Sequence, residues 1–158
     1  MTADGKIEML RHTVATLAYR GGKALRGAPA EFAGYGSSRT PGEILAHICD
    51  LFDWALTLAD GKQAWHNSRP QAWEADVARF FGLLEAFDRR LASGIPLSET
   101  PERLFQGPVA DALTHVGQIA MLRRMAGCAI SGENYFVAKI ETGRVGADQA
   151  AAVREFWR

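Results

Sequence analysis

Residues Gly107 to Gly127 read GPVADALTHVGQIAMLRRMAG, and the fold class turns on taking this stretch as a helix. Its apolar positions Val109, Ala112, Val116, Ile119 and Ala120 recur at intervals of three and four, the period of a single helical stripe. Pro108 suits the first position, where the amide hydrogen it lacks has no partner anyway. Asp111 and His115 stand one turn apart on the same face. A carboxylate and an imidazole so placed reach one divalent ion together, provided that a third ligand arrives from a neighbouring helix.

The candidate third donor is His47, in TPGEILAHICDLFDWAL. Thr40, Pro41 and Glu43 give this second helix a T-x-x-E capping box with proline at its first position. Ile44, Ile48, Leu51 and Ala55 form its stripe, widened by Leu45 and Phe52. His47 flanks that stripe, on the line through Leu51 and Trp54, and Asp60 with Gly61 ends the helix.

The first helix, about Ile7 to Leu25, carries Ile7, Leu10, Val14 and Leu17 in one stripe, and Gly21 and Gly22 weaken its end. The segment Arg26 to Arg39 has no period and reads as a connection that could fold over an opening. After a polar loop with His66 and Asn67, Ser68 and Gln71 bracket Pro70 as a second capping box. The third helix then shows a buried seam of Val77, Phe80, Leu84, Phe87 and Leu91, stopped by Ser93 and Gly94. A linker with three prolines follows, with one short turn after Thr100 and Pro101.

From Cys128 onward the helical period is lost. The tail reads as an extended arm anchored by Tyr135, Phe136, Val137 and Ile140, then a short terminal helix from about Asp148 to Trp157 that docks Val153, Phe156 and Trp157. Four substantial helices without a strong strand pattern predict an all-α four-helix bundle, a single domain over residues 1–158.

Composition agrees with an ordinary globular domain: 47% of the 158 residues are hydrophobic and 23% charged, which argues against disorder. The 18 basic and 18 acidic residues cancel, so the excess charge that sequence-independent nucleic-acid binding requires is absent. No uncharged apolar run reaches the roughly 18 residues of a membrane span, and MTADGKIEMLRHT lacks a signal-peptide core. No membrane partner and a cytoplasmic location are the expectation. Cys49 and Cys128 read as two packed thiols. Cys49 points away from His47 on the helix, which argues against a Cys/His nucleophile pair.

Several residues near the three candidate ligands carry two readings. Gln118 either orients a ligand or makes a plain interior contact. Asp50, one turn after His47, either steadies that imidazole or joins Asp53 on a solvated face. Trp54, Trp65 and Trp73 either line an opening beside the ion or pack in the core and rim. Arg123 and Arg124 either hold an anionic substrate or favour the helix C-terminus through its dipole. His12 and His66 have no partner at ligand spacing and read as surface residues. The ligands themselves have a plainer reading: an interior histidine that is merely hydrogen-bonded, and an Asp–His surface pair.

Three segments carry a resemblance. SSRTPGEILAHICDLFDWAL resembles the helix-two signature of the DinB-like superfamily of small bacterial four-helix proteins. DALTHVGQIAMLRRMAG resembles its helix-four pattern, H-x-x-x-H-x-x-Q, and GENYFVAKIETGRVGADQ the C-terminal segment of one subgroup. The resemblance implies an up-up-down-down type of bundle, often a homodimer, and a divalent metal such as nickel, zinc, manganese or iron. Its three ligands, commonly histidines, match His47 and His115 by position, with Asp111 where the commoner pattern has histidine. Aspartate offers an anionic oxygen that these cations accept, so the site is either preserved in altered form or lost.

The resemblance also implies a function: transferases and isomerases that use low-molecular-weight thiols such as mycothiol, bacillithiol or glutathione. Two alternatives stand beside it. One is metal-assisted hydrolysis, for which no companion Glu is evident near the triad. The other is a noncatalytic homodimer that binds a metal or a small-molecule ligand at a vestigial site.

Overall fold

A computed structural model describes residues 2–156. It contains α1 (Ala3–Leu25), α2 (Pro41–Ala59), α3 (Trp73–Ala92), α4 (Pro101–Leu104) and α5 (Ala110–Met125). A π-helical turn, Phe105–Val109, joins α4 to α5, so the last two form one continuous rod. Among the described residues the β pairing is confined to an isolated bridge between Glu133 and Glu155. No described helix is long and apolar enough to cross a membrane.

The start of α2 follows its sequence signal. The Thr40 hydroxyl accepts from the Glu43 amide, and the Glu43 carboxylate accepts from the Thr40 amide. Past its end, Gly61 adopts a φ of 76°, the left-handed conformation that glycine takes without steric cost. Thr100 likewise caps the short turn at Pro101. Two other helix starts differ from expectation. No side chain caps α3, because Ser68 is turned to Asp50 and the Gln71 amide donates to Asp76. Pro108 opens no helix; it lies inside the π-helical turn, whose altered hydrogen-bond spacing accommodates a residue without an amide hydrogen.

Both α1 and α2 pack against α3 and α5, so α1 and α2 stand on one diagonal of the bundle. Arg11 pairs with Asp88 and Gly21 lies against Phe80, which makes α1 antiparallel to α3. Asp50 pairs with Arg79 and Asp60 with Arg90, so α2 runs parallel to α3. Trp54 faces Gly107 while His47 faces Asp111, hence α2 opposes the final rod. Lys6 pairs with Glu102 and Arg123 reaches the Ala24 carbonyl, hence α1 runs with that rod. The order is therefore up-down-down-up, not up-up-down-down. Parallel α2 and α3 oblige segment 60–72 to travel back along α2: the Lys62 amide meets the Thr57 carbonyl, Ser68 meets Asp50, and Pro70 lies beside Gly42.

The predicted stripes form the core. Leu17, Leu45, Ile48, Phe52, Phe80, Leu84, Phe87, Leu104 and Ile119 are fully buried, and burial of such a side chain contributes about 1.5–3 kcal/mol. Cys49 is buried and Cys128 partly so, and neither is in a disulfide. Arg123 is buried too, but it donates to the carbonyls of Ala24, Arg26 and Cys128, which closes the helix ends and leaves no fork for an anionic substrate. Arg124 is exposed.

The arm after α5 is irregular instead of extended throughout, with a 3-10 turn at Tyr135–Val137, and its anchors differ. Glu133 is buried and accepts from the Tyr19 hydroxyl at 2.5 Å and the Lys23 ammonium at 2.7 Å. Tyr135 meets the edge of Tyr19 beneath the Arg20 guanidinium, and Ile140 is partly buried. Phe136 and Val137 face solvent. The terminal helix is not formed over 148–156, and Val153 and Phe156 are exposed; Trp157 lies outside the described residues. The arm's amides find partners across the arm: Asn134 donates to the Arg154 carbonyl and Phe156 to that of Gly132. Those bonds satisfy the backbone that a helix would otherwise have to satisfy.

The interlock of α1 with α3 is tested by two glycines. A Cβ on Gly21 would lie 2.6 Å from the Phe80 ring, so Gly21→Ala is expected to destabilise the protein by about 1–3 kcal/mol. Gly82 is exposed with nothing within 4 Å, so Gly82→Ala is expected to stabilise by about 0.5–1 kcal/mol. Urea unfolding of both variants measures the opposite signs.

Candidate metal centre

The seam between α2 and α5 brings the three expected donors together. One ligand atom each from His47, Asp111 and His115 lie within 4.8 Å of one another. His47 Nε2 stands 3.4 Å from Asp111 Oδ2, and the two imidazole centroids are 4.7 Å apart. Donors at ~2.1 Å from a tetrahedral ion are themselves about 3.4 Å apart. The His47–Asp111 separation is thus that of two groups able to share one cation. Side-chain exposure rises from 9% at His115 through 22% at His47 to 45% at Asp111, which gives the cluster a closed floor and an open mouth.

Hydrogen bonding assigns the His115 tautomer. Nδ1 lies 2.8 Å from the Asp111 backbone carbonyl, which can only accept, so Nδ1 carries the hydrogen. Nε2 lies 3.1 Å from Arg39 Nη1, which can only donate, so Nε2 presents its lone pair. Ligating histidines typically show this outer hydrogen bond, with one ring nitrogen anchored and the other aimed at the metal.

Burial pushes the His47 imidazole below its ordinary value of 6.5, and the Arg39 charge pushes the same way, against Asp111. At neutral pH it is therefore the uncharged form, the one that can ligate.

Arg39 was not among the candidate residues, and of the two readings open to Trp65 the structure favours lining the site. Arg39, directly before the capping Thr40, reaches His115 from the entrance. The return segment 60–72 supplies a wall: Trp65 meets the His47 ring at 5.6 Å and the Trp54 ring at 5.7 Å. Ser38, Arg39, Glu43, His47, Asp50, Asn67 and Ser68 line an open cavity of about 370 Å³, a volume within the range of small-molecule sites. The placement of Arg39 beside the capping box was the available signal, since it puts that residue at the entrance of the helix that carries His47.

Other candidates fall elsewhere. Asp50 borders the cavity without bonding His47; it accepts from the Ser68 amide at 2.8 Å, the Ser68 hydroxyl at 2.6 Å and Arg79 at 2.9 Å. Burial alone would raise this carboxyl, but those donors outweigh it and hold it below its ordinary range. Asp50 therefore fastens the return segment to α2. Gln118 is exposed and bonds to none of the three donors, so it orients no ligand. Trp73 packs edge-on against Phe32 in the core, and His12 and His66 are exposed. Burial pushes the Cys49 thiol up to about 12, with its sulfur facing the Asp76 carbonyl, which leaves no thiolate nucleophile there.

No protein-family model, curated protein or solved structure matches the chain.

The electrostatics make a signed prediction for chelator-treated protein followed by histidine NMR. His47 is expected to titrate below 6.5. Arg39→Ala should move its midpoint up and Asp111→Ala should move it further down, since the first removes a repelling charge and the second an attracting one. Because the folded value lies below the unfolded one, the unfolded chain takes up the proton first. Stability should therefore fall as pH drops from about 6.5 towards the folded midpoint.

Proposed function

We propose that His47, Asp111 and His115 hold a divalent cation, and that the chain is a metal-dependent transferase or isomerase acting with a low-molecular-weight thiol, as a homodimer. The observation that carries this is the convergence of three donors, one of them an imidazole whose Nε2 lone pair faces Arg39, beside an open polar cavity. The DinB-like resemblance supplies the thiol chemistry and the dimer. Three protein ligands leave coordination positions free for a substrate, as a catalytic ion requires and a closed structural site does not. A cation so held stabilises a thiol as its thiolate, the nucleophilic form.

The chain's own residues divide the remaining work. His47 and His115 contribute neutral donors from two helices, and Asp111 contributes the anionic one. Trp65, itself packed on Trp54, covers one side of the His47 ring. Asn67 and the Ser38 hydroxyl border the cavity as polar contacts for a ligand. Hydrolysis is disfavoured by the state of Glu43, the cavity's glutamate: its carboxylate is engaged by Thr40 in the capping box, so it is poorly placed to serve as a base.

Elemental analysis of purified wild type is expected to find about one equivalent of a divalent metal. His115→Ala should lose more than about 100-fold in affinity, beyond the 10–100-fold typical of losing an outer hydrogen bond. Metal-loaded protein given a panel of thiols and a halogenated arene should form the conjugate, and His47→Ala and Asp111→Ala should not. Metal binding without turnover across that panel would favour the noncatalytic reading, and wild type that binds no metal would remove the proposal.

A further inference from the structure

Arg39 is exposed, and its Nη1 lies 3.1 Å from His115 Nε2, the nitrogen whose lone pair a cation would take. The acids around it are engaged. Glu43 accepts from the Thr40 amide and hydroxyl, and Asp50 from Ser68 and Arg79. Asp111 is turned to the two imidazoles. Among the described residues Arg39 has no carboxylate within ion-pair distance, and its other N–H groups have no acceptor from the chain. The uncommitted charge of the cavity is therefore a guanidinium.

We propose that Arg39 and a divalent cation compete for His115 Nε2, and that the displaced guanidinium then receives an acidic group of the ligand. This rests on the metal-centre proposal and names the class of thiol that it takes: one bearing a carboxylate. The lone pair cannot serve a guanidinium donor and a metal together. Two cations side by side also repel, so an incoming ion drives Arg39 outward. A guanidinium turned into this cavity meets Ser38, Asn67 and Ser68 together with the Glu43 and Asp50 carboxylates, which Thr40, Ser68 and Arg79 already engage, and its planar fork matches a ligand carboxylate with two parallel hydrogen bonds. Cation entry thus both frees the anion receptor and supplies the site for the sulfur.

Calorimetry on chelator-treated wild type, Arg39→Ala, Arg39→Lys and His115→Ala tests this, with zinc as the first probe. Mercaptoacetate and 2-mercaptoethanol, added to the zinc-loaded proteins, are the second. The exposed position lets Arg39→Ala keep the fold, and circular dichroism verifies it. Arg39→Ala is expected to bind zinc on the order of ten-fold more tightly than wild type, the scale of one charge-assisted hydrogen bond released. Zinc-loaded wild type should prefer mercaptoacetate to 2-mercaptoethanol; Arg39→Ala should lose that preference and Arg39→Lys retain part of it. Equal zinc affinity in wild type and Arg39→Ala overturns the competition, and a preference that survives Arg39→Ala overturns the receptor role. Both outcomes leave the metal centre standing, provided that His115→Ala binds zinc poorly. If no protein in the set binds zinc, the metal centre falls and the role of Arg39 falls with it.

Discussion

The rest of the structure depends on α2 being wedged between α3 and α5. Leu45, Ile48, Phe52 and Ala55 are fully buried on it, and Cys49 and Ala59 extend the burial round its circumference. A helix enclosed on two sides has few directions in which a polar side chain can stay solvated, so each polar group along it must find a partner. Asp50 finds Ser68 and Arg79. His47 has the seam towards α5, and the groups across that seam are Asp111 and His115. The donor cluster is the consequence of burying α2 twice.

What could be read beforehand was whatever depends on local period. The stripes on four helices, the Thr40–Glu43 capping box, the left-handed Gly61 and the shared face of Asp111 and His115 all follow from spacing within one segment. The meeting of His47 with that face was a proposal about adjacency, which no spacing within a helix can fix. The direction of α3 was illegible for the same reason, and with it the return path of segment 60–72. Its apparent capping box failed because Ser68 had a stronger competitor in the buried Asp50 carboxylate than in the helix amides. The terminal helix failed because pairing between 132–134 and 154–156 satisfied the same amides. Arg39 was missed by a search for lone-pair donors, since a guanidinium has none.

Segment 60–72 gives Asp50 an influence on the site at one remove. By holding the Ser68 amide and hydroxyl, its carboxylate fixes where the segment lies along α2. That in turn places Trp65 against His47. The aromatic wall restricts water on one side of the imidazole, and burial is the first cause of its depressed basicity. An ionised carboxylate that touches no donor of the cluster thus helps to keep one donor uncharged, through a loop and an indole.

Three convergent polar side chains pose a problem of their own, because unpaired polar groups at a protein seam are costly. Here the problem is met within the chain. The Asp111 carbonyl takes one nitrogen of His115 and Arg39 supplies a donor to the other, while the Asp111 carboxylate, nearly half exposed, keeps solvent on one side. Were an ion to enter this cluster as proposed, its affinity would be set by the difference between the bonds the ion makes and those it displaces. On that account the residue that decides how tightly this site would bind a cation is as much the guanidinium that must leave as the three donors that stay.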